Sequence, residues 1–124
     1  MALRIGQGYD IHAKKDGRVL TLGGIVFEGE RGLDGHSDAD VLLHAIGDAL
    51  LDGHGAKIVN VDATVIAELP KIQKRRDEMR LAIAQALRVG AKQVSVKATT
   101  HERLGAVGRD EGIAAFAIAM VDLT

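Results

Sequence analysis

The sequence predicts an α+β fold, in which helices cover one face of a mixed β-sheet and a small hairpin lies near the N-terminus. Apolar and polar side chains alternate over residues 57–67 and 93–99, as they do in β-strands. Over residues 37–51 and 73–88, apolar side chains recur at steps of three and four, as in amphipathic helices. Because the chain has 124 residues and 47% of them are apolar, we expect residues 1–124 to form a single domain.

The first predicted elements are a strand and a hairpin. Residues 4–12 have the pattern of a strand, and the polar residues 14–17 are typical of a loop. Residues 18–27 are expected to form a hairpin-like pair that is broken at Gly23 and Gly24, because glycine permits turn conformations.

The first helix is predicted to follow a charged, glycine-rich loop over residues 28–35. It begins at Ser37, which together with Asp40 resembles a weak capping box. Asp52 and Gly53 are expected to end it, since glycine is the natural residue after a helix.

The second half of the chain is predicted to contain the second helix and the last strands. Pro70 ends the strand over residues 57–67, and Gly90 closes the helix that follows. The final strand, residues 112–121, is almost continuously apolar, as expected where both faces are covered. Its small residues would let a helix or a second subunit approach closely: Ala114, Ala115, Ala117 and Ala119.

Asp10, His12 and His44 form a candidate metal site. Asp10 and His12 are two residues apart on a predicted strand, so their side chains point to the same side. Asp40 and His44 fall on one polar stripe of the predicted helix. A carboxylate and two imidazoles with one open position are the ligands expected of a working zinc or similar divalent ion. The alternative is a surface histidine beside an ordinary helix cap formed by Ser37 and Asp40.

The segment after the strand over residues 93–99 is a candidate phosphate site. Thr99 and Thr100 can donate hydrogen bonds to phosphate oxygens, and Glu102 can hold a hard cation between two phosphates. An ordinary polar turn is the alternative.

Two further loops offer weaker signals. The turn over residues 67–73 has free backbone groups that could bind a planar ring, and Lys71 adds a positive charge, although a tight loop explains it equally. The glycine-rich residues 105–109 predict a flexible loop with one guanidinium, that of Arg109.

The amino-acid composition indicates which kinds of partner the protein binds and in which compartment it acts. The net charge of -1, with Tyr9, Phe27 and Phe116 as the aromatic residues, argues against nucleic-acid binding. Without cysteine there is neither a disulfide framework nor a thiolate metal cluster, which is compatible with a reducing cytosol. No secretory leader or membrane-spanning run is visible, so we expect a cytoplasmic protein that does not act in a membrane.

Several motifs, in order along nearly the whole chain, resemble the 2-C-methyl-D-erythritol 2,4-cyclodiphosphate synthase family. The most specific are the Asp-x-His strand at residues 10–12, the His-Ser-Asp-x-Asp-x-x-x-His segment at 36–44 and the Lys-Ala-Thr-Thr-x-Glu-x-Leu-Gly segment at 97–105. The resemblance implies an enzyme of non-mevalonate isoprenoid biosynthesis, a phosphorus-oxygen lyase that converts a cytidine-diphosphate-linked methylerythritol 2-phosphate into a cyclic diphosphate and CMP. It also implies a homotrimer with sites at subunit interfaces, which agrees with the small-residue final strand.

The resemblance carries over to individual positions. It implies zinc at Asp10, His12 and His44, and magnesium or manganese at Glu102. His36 and Thr100 match positions that stabilise the transition state. Substrate contacts are implied for Asp10, Ile11, His12, His36, Ser37, Thr99, Thr100, His101, Glu102 and Arg109. A cytidine pocket is implied for Ala67, Glu68, Leu69, Pro70, Lys71, Ile72 and Gln73.

One stretch departs from the family pattern. Family members carry a few dozen further residues after the first helix, including a Gly-Asp-Ile-Gly motif, a Pro-Asp-Thr-Asp stretch and another helix, whereas here Gly53, His54 and Gly55 run almost straight into Lys57. The resemblance implies that this segment holds the methylerythritol hydroxyls and closes over the metal. We expect that the printed sequence skips a mobile segment near residues 53 and 54.

Three other functions fit parts of the pattern. A zinc hydrolase would use the Asp10, His12 and His44 ion to make hydroxide and would release linear phosphate products. A trimeric binding module would keep the metal and nucleotide pockets without turnover. A purely structural trimer would not depend on His44 for bound zinc.

Overall fold

The computed structural model describes residues 2–50 and 56–124. In these ranges five strands form one mixed sheet, and its order is β2-β1-β5-β3-β4. The strands are β1 (Leu3–Leu22), β2 (Ile25–Leu33), β3 (Lys57–Ile66), β4 (Val94–Thr99) and β5 (Gly112–Asp122). The helices are α1 (Val41–Leu50), α2 (Arg76–Leu87) and the single turn α3 (Gly105–Gly108), with 3-10 turns at Ile72–Arg75 and Ala91–Gln93. The predicted α+β class with a mixed sheet is confirmed.

The hairpin formed by β1 and β2 is longer than predicted. Residues 14–17, expected to be a loop, continue β1, because Lys14 and Lys15 pair with Leu33 and Gly32 of β2. The expected loop over 28–35 is likewise mostly strand. Pairing in the ladder satisfies the backbone there, while most of the polar side chains, apart from that of Lys14, remain exposed to water.

The turn at Gly23 and Gly24 is confirmed. Both residues have positive φ, 59° and 81°, which is the conformation that a two-residue hairpin turn requires and that glycine adopts readily. Leu22 and Ile25 pair across the turn.

Helix α1 begins at Val41, four residues later than predicted. Ser37 and Ala39 have φ values of 55° and 52°, so neither can belong to a right-handed helix. Asp40 occupies the cap position instead, and its carboxylate accepts a hydrogen bond from the Leu43 N–H at 3.0 Å. The predicted end at Asp52 and Gly53 lies outside the described residues.

Two glycines of β1 allow α1 to lie unusually close to the sheet. A Cβ atom at Gly6 would be 1.9 Å from the Ala49 carbonyl oxygen, and one at Gly8 would be 1.9 Å from that of Ala45. Neither position therefore tolerates a side chain while the helix stays in place. The close approach fixes where α1 carries His44 relative to β1.

The second half follows the prediction with local differences. Val59 is 39% exposed and lies at the point where the pairing of β3 with β5 is irregular, between Ile58 and Asn60. Helix α2 ends at Leu87 and is followed by Arg88 in a left-handed conformation, whereas Gly90, the predicted end, caps the next 3-10 turn. Residues 105–109 contain the helical turn α3, where a flexible loop was expected.

The two faces of β5 differ within the single chain, so the expectation that both are covered stays a prediction that depends on a second subunit. Ala115, Ala117 and Ala119 pair with Asp10, Gly8 and Gly6 on the face that α1 covers, and they are buried. The small residues thus accommodate α1 of the same chain. On the opposite face Ala114 is buried, whereas Phe116 and Ile118 are 40% and 50% exposed, so the part of this face around Phe116 and Ile118 is uncovered in the single chain.

Candidate metal and nucleotide site

The side chains of Asp10, His12 and His44 converge on one point. The His12 Nε2 atom is 2.8 Å from Asp10 Oδ2, and the His44 Nδ1 atom is 3.2 Å from the same oxygen. The two imidazole nitrogens are 3.4 Å apart. One strand and one helix therefore bring together the three groups that the sequence predicted as metal ligands.

The spacing of these three atoms fits a divalent ion. Ligand atoms about 2.0–2.1 Å from a tetrahedral zinc lie roughly 3.3 Å from one another, close to the three distances observed. The His12 Nδ1–H donates to the Asp34 carbonyl oxygen at 2.7 Å, which leaves the Nε2 lone pair facing Asp10. A lone pair and a carboxylate oxygen repel each other unless a cation or a proton lies between them. The donor set is thus suited to a metal.

The alternation of β1 and the packing of α1 create this geometry. Asp10 and His12 share a face of β1, and His44 projects from α1 one residue before Ala45, which touches Gly8. Gly35 lies against the His12 ring, because a Cβ atom there would be 2.8 Å from its Cε1 and Nδ1 atoms. These close contacts restrict the orientation of the His12 ring.

Sequence reasoning placed Asp40 on the polar stripe with His44 and so missed its main role. Asp40 is 4% exposed and accepts hydrogen bonds from Gly23 N–H at 3.0 Å and Gly24 N–H at 2.8 Å, besides that from Leu43. The carboxylate thus joins the hairpin turn to the start of α1. The signal available was an aspartate directly before the apolar run of the helix.

The predicted nucleotide residues surround a cavity with about 350 Å³ of open space. Five of the seven line it, and three residues at and just after the end of β4 complete the lining. The lining consists of Ala67, Pro70, Lys71, Ile72, Gln73, Ala98, Thr99 and Thr100. Glu68 and Leu69 are not part of the lining, and Ala98 was not predicted from the sequence.

Glu102 lies on the loop that follows β4, in an exposed position. Its backbone N–H donates to Thr100 Oγ1 at 3.1 Å. A hydroxyl that accepts one hydrogen bond still has its own proton to donate, so Thr100 remains able to bind a phosphate oxygen. Glu68 contacts this loop rather than the cavity: its Oε1 atom accepts from His101 N–H at 2.9 Å.

The remaining predicted residues are exposed. Ile11 is 48% exposed on the sheet face opposite His12 and Asp10. His36 and Ser37 lie in the loop before α1, where the Ser37 carbonyl accepts a hydrogen bond from Arg18. The Arg109 guanidinium donates to Glu111 at 2.7 Å, and this hydrogen bond raises the pKa of Arg109. Arg109 is therefore a permanent cation with an acidic neighbour.

A buried lysine that the sequence did not single out ties these regions together. The Lys14 side chain is 2% exposed, and its Nζ atom donates to the Leu69 carbonyl at 2.9 Å and to Asp110 at 2.5 Å. Lys14 is two residues beyond His12, so one strand positions both a metal ligand and the turn beside the cavity.

This fold and this group define a class of protein: a small α+β protein with an Asp-His-His group that could hold a divalent ion. The YgbB family model matches residues 3–57 and 51–122. Curated relatives that match nearly their whole length are named 2-C-methyl-D-erythritol 2,4-cyclodiphosphate synthase. The chain belongs to this family.

Individual relatives support the assignment. The synthase of Phocaeicola vulgatus is 43% identical over 157 aligned positions, which cover 98% of each chain. The crystal structure of the Plasmodium vivax synthase has a TM-score of 0.90 and 40% identity, and covers 98% of each chain. A Plasmodium falciparum relative, solved as a CDP complex, has a TM-score of 0.88 and 33% identity over 97% of this chain and 96% of that one.

The alignment with Phocaeicola vulgatus is longer than this chain. It spans 157 positions, whereas the chain has 124 residues. Many positions of the alignment therefore carry no residue of this chain. The two ranges that match the family model overlap at residues 51–57, the same part of the sequence where the family pattern is interrupted.

Proposed function

We propose that this protein converts 4-diphosphocytidyl-2-C-methyl-D-erythritol 2-phosphate into 2-C-methyl-D-erythritol 2,4-cyclodiphosphate and CMP, a step of non-mevalonate isoprenoid biosynthesis. An oxygen of the 2-phosphate attacks the β-phosphorus of the same molecule. The bond between that phosphorus and the oxygen of the CMP phosphate breaks, and CMP leaves with the electron pair. This is the chemistry of a cyclising phosphorus-oxygen lyase.

The single observation that carries the proposal is the convergence of Asp10 Oδ2, His12 Nε2 and His44 Nδ1. A phosphate is already a nucleophile at neutral pH, so the reaction requires no strong general base. The protein has to bring two repelling anions together and neutralise charge on the transferred phosphorus. A centre with an open position for a phosphate oxygen serves this need.

Two different cations are proposed. Zinc fits Asp10, His12 and His44, since two of the three donors are imidazoles, and magnesium or manganese fits the carboxylate of Glu102. When bound, the ions would supply Lewis acidity and neutralise the charge of the diphosphate. The side chains of this protein hold them and orient the phosphates.

The other predicted residues keep their proposed roles. His36 and Thr100 stabilise the transition state, and Ile11, Ser37, Thr99, His101 and Arg109 contact the substrate. Ala67, Pro70, Lys71, Ile72 and Gln73 form the cytidine pocket, a role that their position around the cavity supports. Glu68 and Leu69 act beside this pocket through the turn that they form.

A homotrimer is proposed for the assembly. Its support is the uncovered apolar face of the sheet, where Ile5, Tyr9 and Ile118 are between 49% and 66% exposed. Single exposed apolar residues are common, but a continuous row of them across neighbouring strands is typical of an interface.

A cytoplasmic location also remains a prediction. Among the helices that the structure describes, none is sufficiently long and apolar to cross a membrane.

We infer that a segment near residues 53 and 54 is missing from the printed sequence. The longer alignment with a relative and the divided match to the family model support this inference. An intact mass of the protein produced from its own gene decides the question. A mass well above 13.1 kDa is expected, and a mass of 13.1 kDa would contradict the inference.

Product analysis tests the proposed function. The protein produced from its own gene is loaded with zinc and magnesium and mixed with the substrate, and the products are followed by phosphorus NMR. We expect CMP and the cyclic diphosphate in equal amounts. Linear phosphate products would instead indicate the zinc hydrolase, and CDP binding without any product would indicate the binding module.

A further inference from the structure

Glu68 has an unusual position for a residue of the nucleotide turn. It comes two residues after β3 and is half-buried, yet it does not line the cavity. Its Oε1 atom accepts hydrogen bonds from the backbone N–H groups of His101 at 2.9 Å and Arg103 at 3.3 Å. One oxygen atom thus holds the backbone on both sides of Glu102.

The backbone that Glu68 holds has an unfavourable conformation at two residues. Glu102 and Arg103 have φ values of 52° and 63°, in the left-handed region that residues other than glycine seldom adopt. Such a conformation is unfavourable for a residue with a side chain and persists only where the surroundings fix it. The hydrogen bonds to Glu68 and that from Glu102 N–H to Thr100 provide this fixation.

We propose that Glu68 is a positioning residue for Glu102: it fixes the turn over residues 101–103 so that the Glu102 carboxylate faces the cation bound with the diphosphate. This inference rests on the proposed function, which gives Glu102 the cation. It links two segments that lie far apart in the sequence, the turn beside the cavity and the loop after β4.

The role requires an acceptor atom at Glu68 rather than a negative charge. A glutamine has a carbonyl oxygen at the position of Oε1 and can accept both N–H groups, whereas an alanine accepts neither. A residue that bound the cation directly, or acted through its charge, would lose its effect in both variants. The comparison of Glu68→Gln with Glu68→Ala therefore separates positioning from charge.

Manganese binding in the presence of CDP provides the test, with free Mn²⁺ measured by electron paramagnetic resonance. We expect Glu68→Ala to weaken Mn²⁺ binding by about 10- to 100-fold, as is usual when the partner of a metal ligand is removed. Glu68→Gln should bind Mn²⁺ like the wild type. Glu28→Ala, at an exposed position of β2, serves as the control, and Co²⁺ binding at Asp10, His12 and His44 should be unchanged in every variant.

A second measurement addresses the turn itself and does not depend on any metal. In the metal-free wild type, the amide protons of His101 and Arg103 should exchange slowly, and Glu68→Gln should preserve this protection. Rapid exchange in the wild type would overturn the inference even if the proposed function holds. A wild type with slow exchange but without Mn²⁺ binding would instead contradict the cation role of Glu102.

The remaining outcomes are also decisive. Equal loss of Mn²⁺ binding in Glu68→Gln and Glu68→Ala would overturn positioning in favour of a charge effect. Wild-type binding in both variants would overturn any role. If Glu68→Ala does not fold, Glu68→Gln alone decides, because retained binding with retained amide protection supports the inference and lost binding contradicts it.

Discussion

At the scale of single residues, the proposed binding of a cation depends on three donor atoms. One oxygen of Asp10 and one ring nitrogen each of His12 and His44 lie within hydrogen-bond distance of one another, an arrangement that requires a cation or protons between them. Each contributes one ligand atom, so the loss of any one leaves two. A cation held by two ligands dissociates far more readily than one held by three.

His44→Ala is therefore expected to reduce the affinity for Zn²⁺ by more than about 100-fold, since removing a mere partner of a ligand already costs about 10- to 100-fold. Competition titration with a zinc-binding dye measures the affinity. His101→Ala, at an exposed histidine outside this group, is the control and should bind zinc as before. Unchanged zinc in His44→Ala would favour a purely structural trimer.

Asp40 is the residue on which the start of α1 depends. Asp40→Ala removes the acceptor of three backbone N–H groups in a buried position, and we expect it to lower the free energy of unfolding by about 3 kcal/mol. Urea denaturation measures this change. Asp38→Ala, two residues earlier and exposed, should change stability little. Equal effects of the two substitutions would show that the contacts of Asp40 are unimportant.

The metal ligands could be predicted from the sequence, whereas the residues that support them could not. Asp10 and His12 share a face because strands have a period of two, which is a local property. Apart from the local cap of Asp40 on Leu43, the side chains of Asp40, Lys14 and Glu68 act through partners 16 to 96 residues away, and no local spacing indicates these contacts. The likeness of Ser37 and Asp40 to a capping box was misleading, because Asp40 itself caps the helix.

At the scale of elements, the close contact between α1 and β1 positions the metal centre. Gly8→Ala would place a methyl group 1.9 Å from the Ala45 carbonyl oxygen, which forces the helix away from the strand. We expect a loss of stability of about 1–3 kcal/mol, as in other overpacked sites, together with weaker zinc binding because His44 moves with the helix. Thermal unfolding and zinc titration measure the two effects.

Gly47→Ala is the matched control for this prediction. Gly47 lies in α1, and among residues 2–50 and 56–124, apart from its chain neighbours and the backbone of its own helix, no atom lies within 4 Å of the position that its Cβ would take. Because alanine favours the helix over glycine, we expect a gain in stability of about 1 kcal/mol with unchanged zinc binding. If Gly8→Ala were as well tolerated as Gly47→Ala, the close packing would not be what positions His44.

The order of elements could be predicted, but their ends depended on tertiary contacts. The strands over 57–67 and 93–99 alternate clearly in the sequence, and both are found with small shifts. The polar residues 14–17 hid the continuation of β1, because their strand conformation comes from pairing with β2. Likewise, the irregular pairing beside Val59 has no counterpart in its own sequence.

At the scale of the whole molecule, the exposed apolar side chains on the face of the sheet opposite α1 form a candidate interface. Tyr9 and Phe116 pack edge to face at 4.8 Å on this surface, and Ile5 and Ile118 extend it along the same strands. Covering these side chains removes apolar area from water, which is favourable by about 25 cal/mol per Å². In the proposed trimer, other copies of the chain provide this cover.

Ile118→Glu is expected to dissociate the trimer, because it buries a charge in the interface. Sedimentation equilibrium should show three times the chain mass for the wild type and one chain mass for the variant. Leu81→Glu is the control, since Leu81 is 54% exposed on α2, away from this face. A wild type that sediments as a monomer would contradict the trimer.

The most direct test of the account is anomalous scattering from crystals of the zinc-loaded protein, measured on both sides of the zinc absorption edge. The account predicts one strong zinc peak about 2.0–2.2 Å from Asp10 Oδ2, His12 Nε2 and His44 Nδ1. A zinc peak bound by other residues, or no peak between these three atoms, would contradict it.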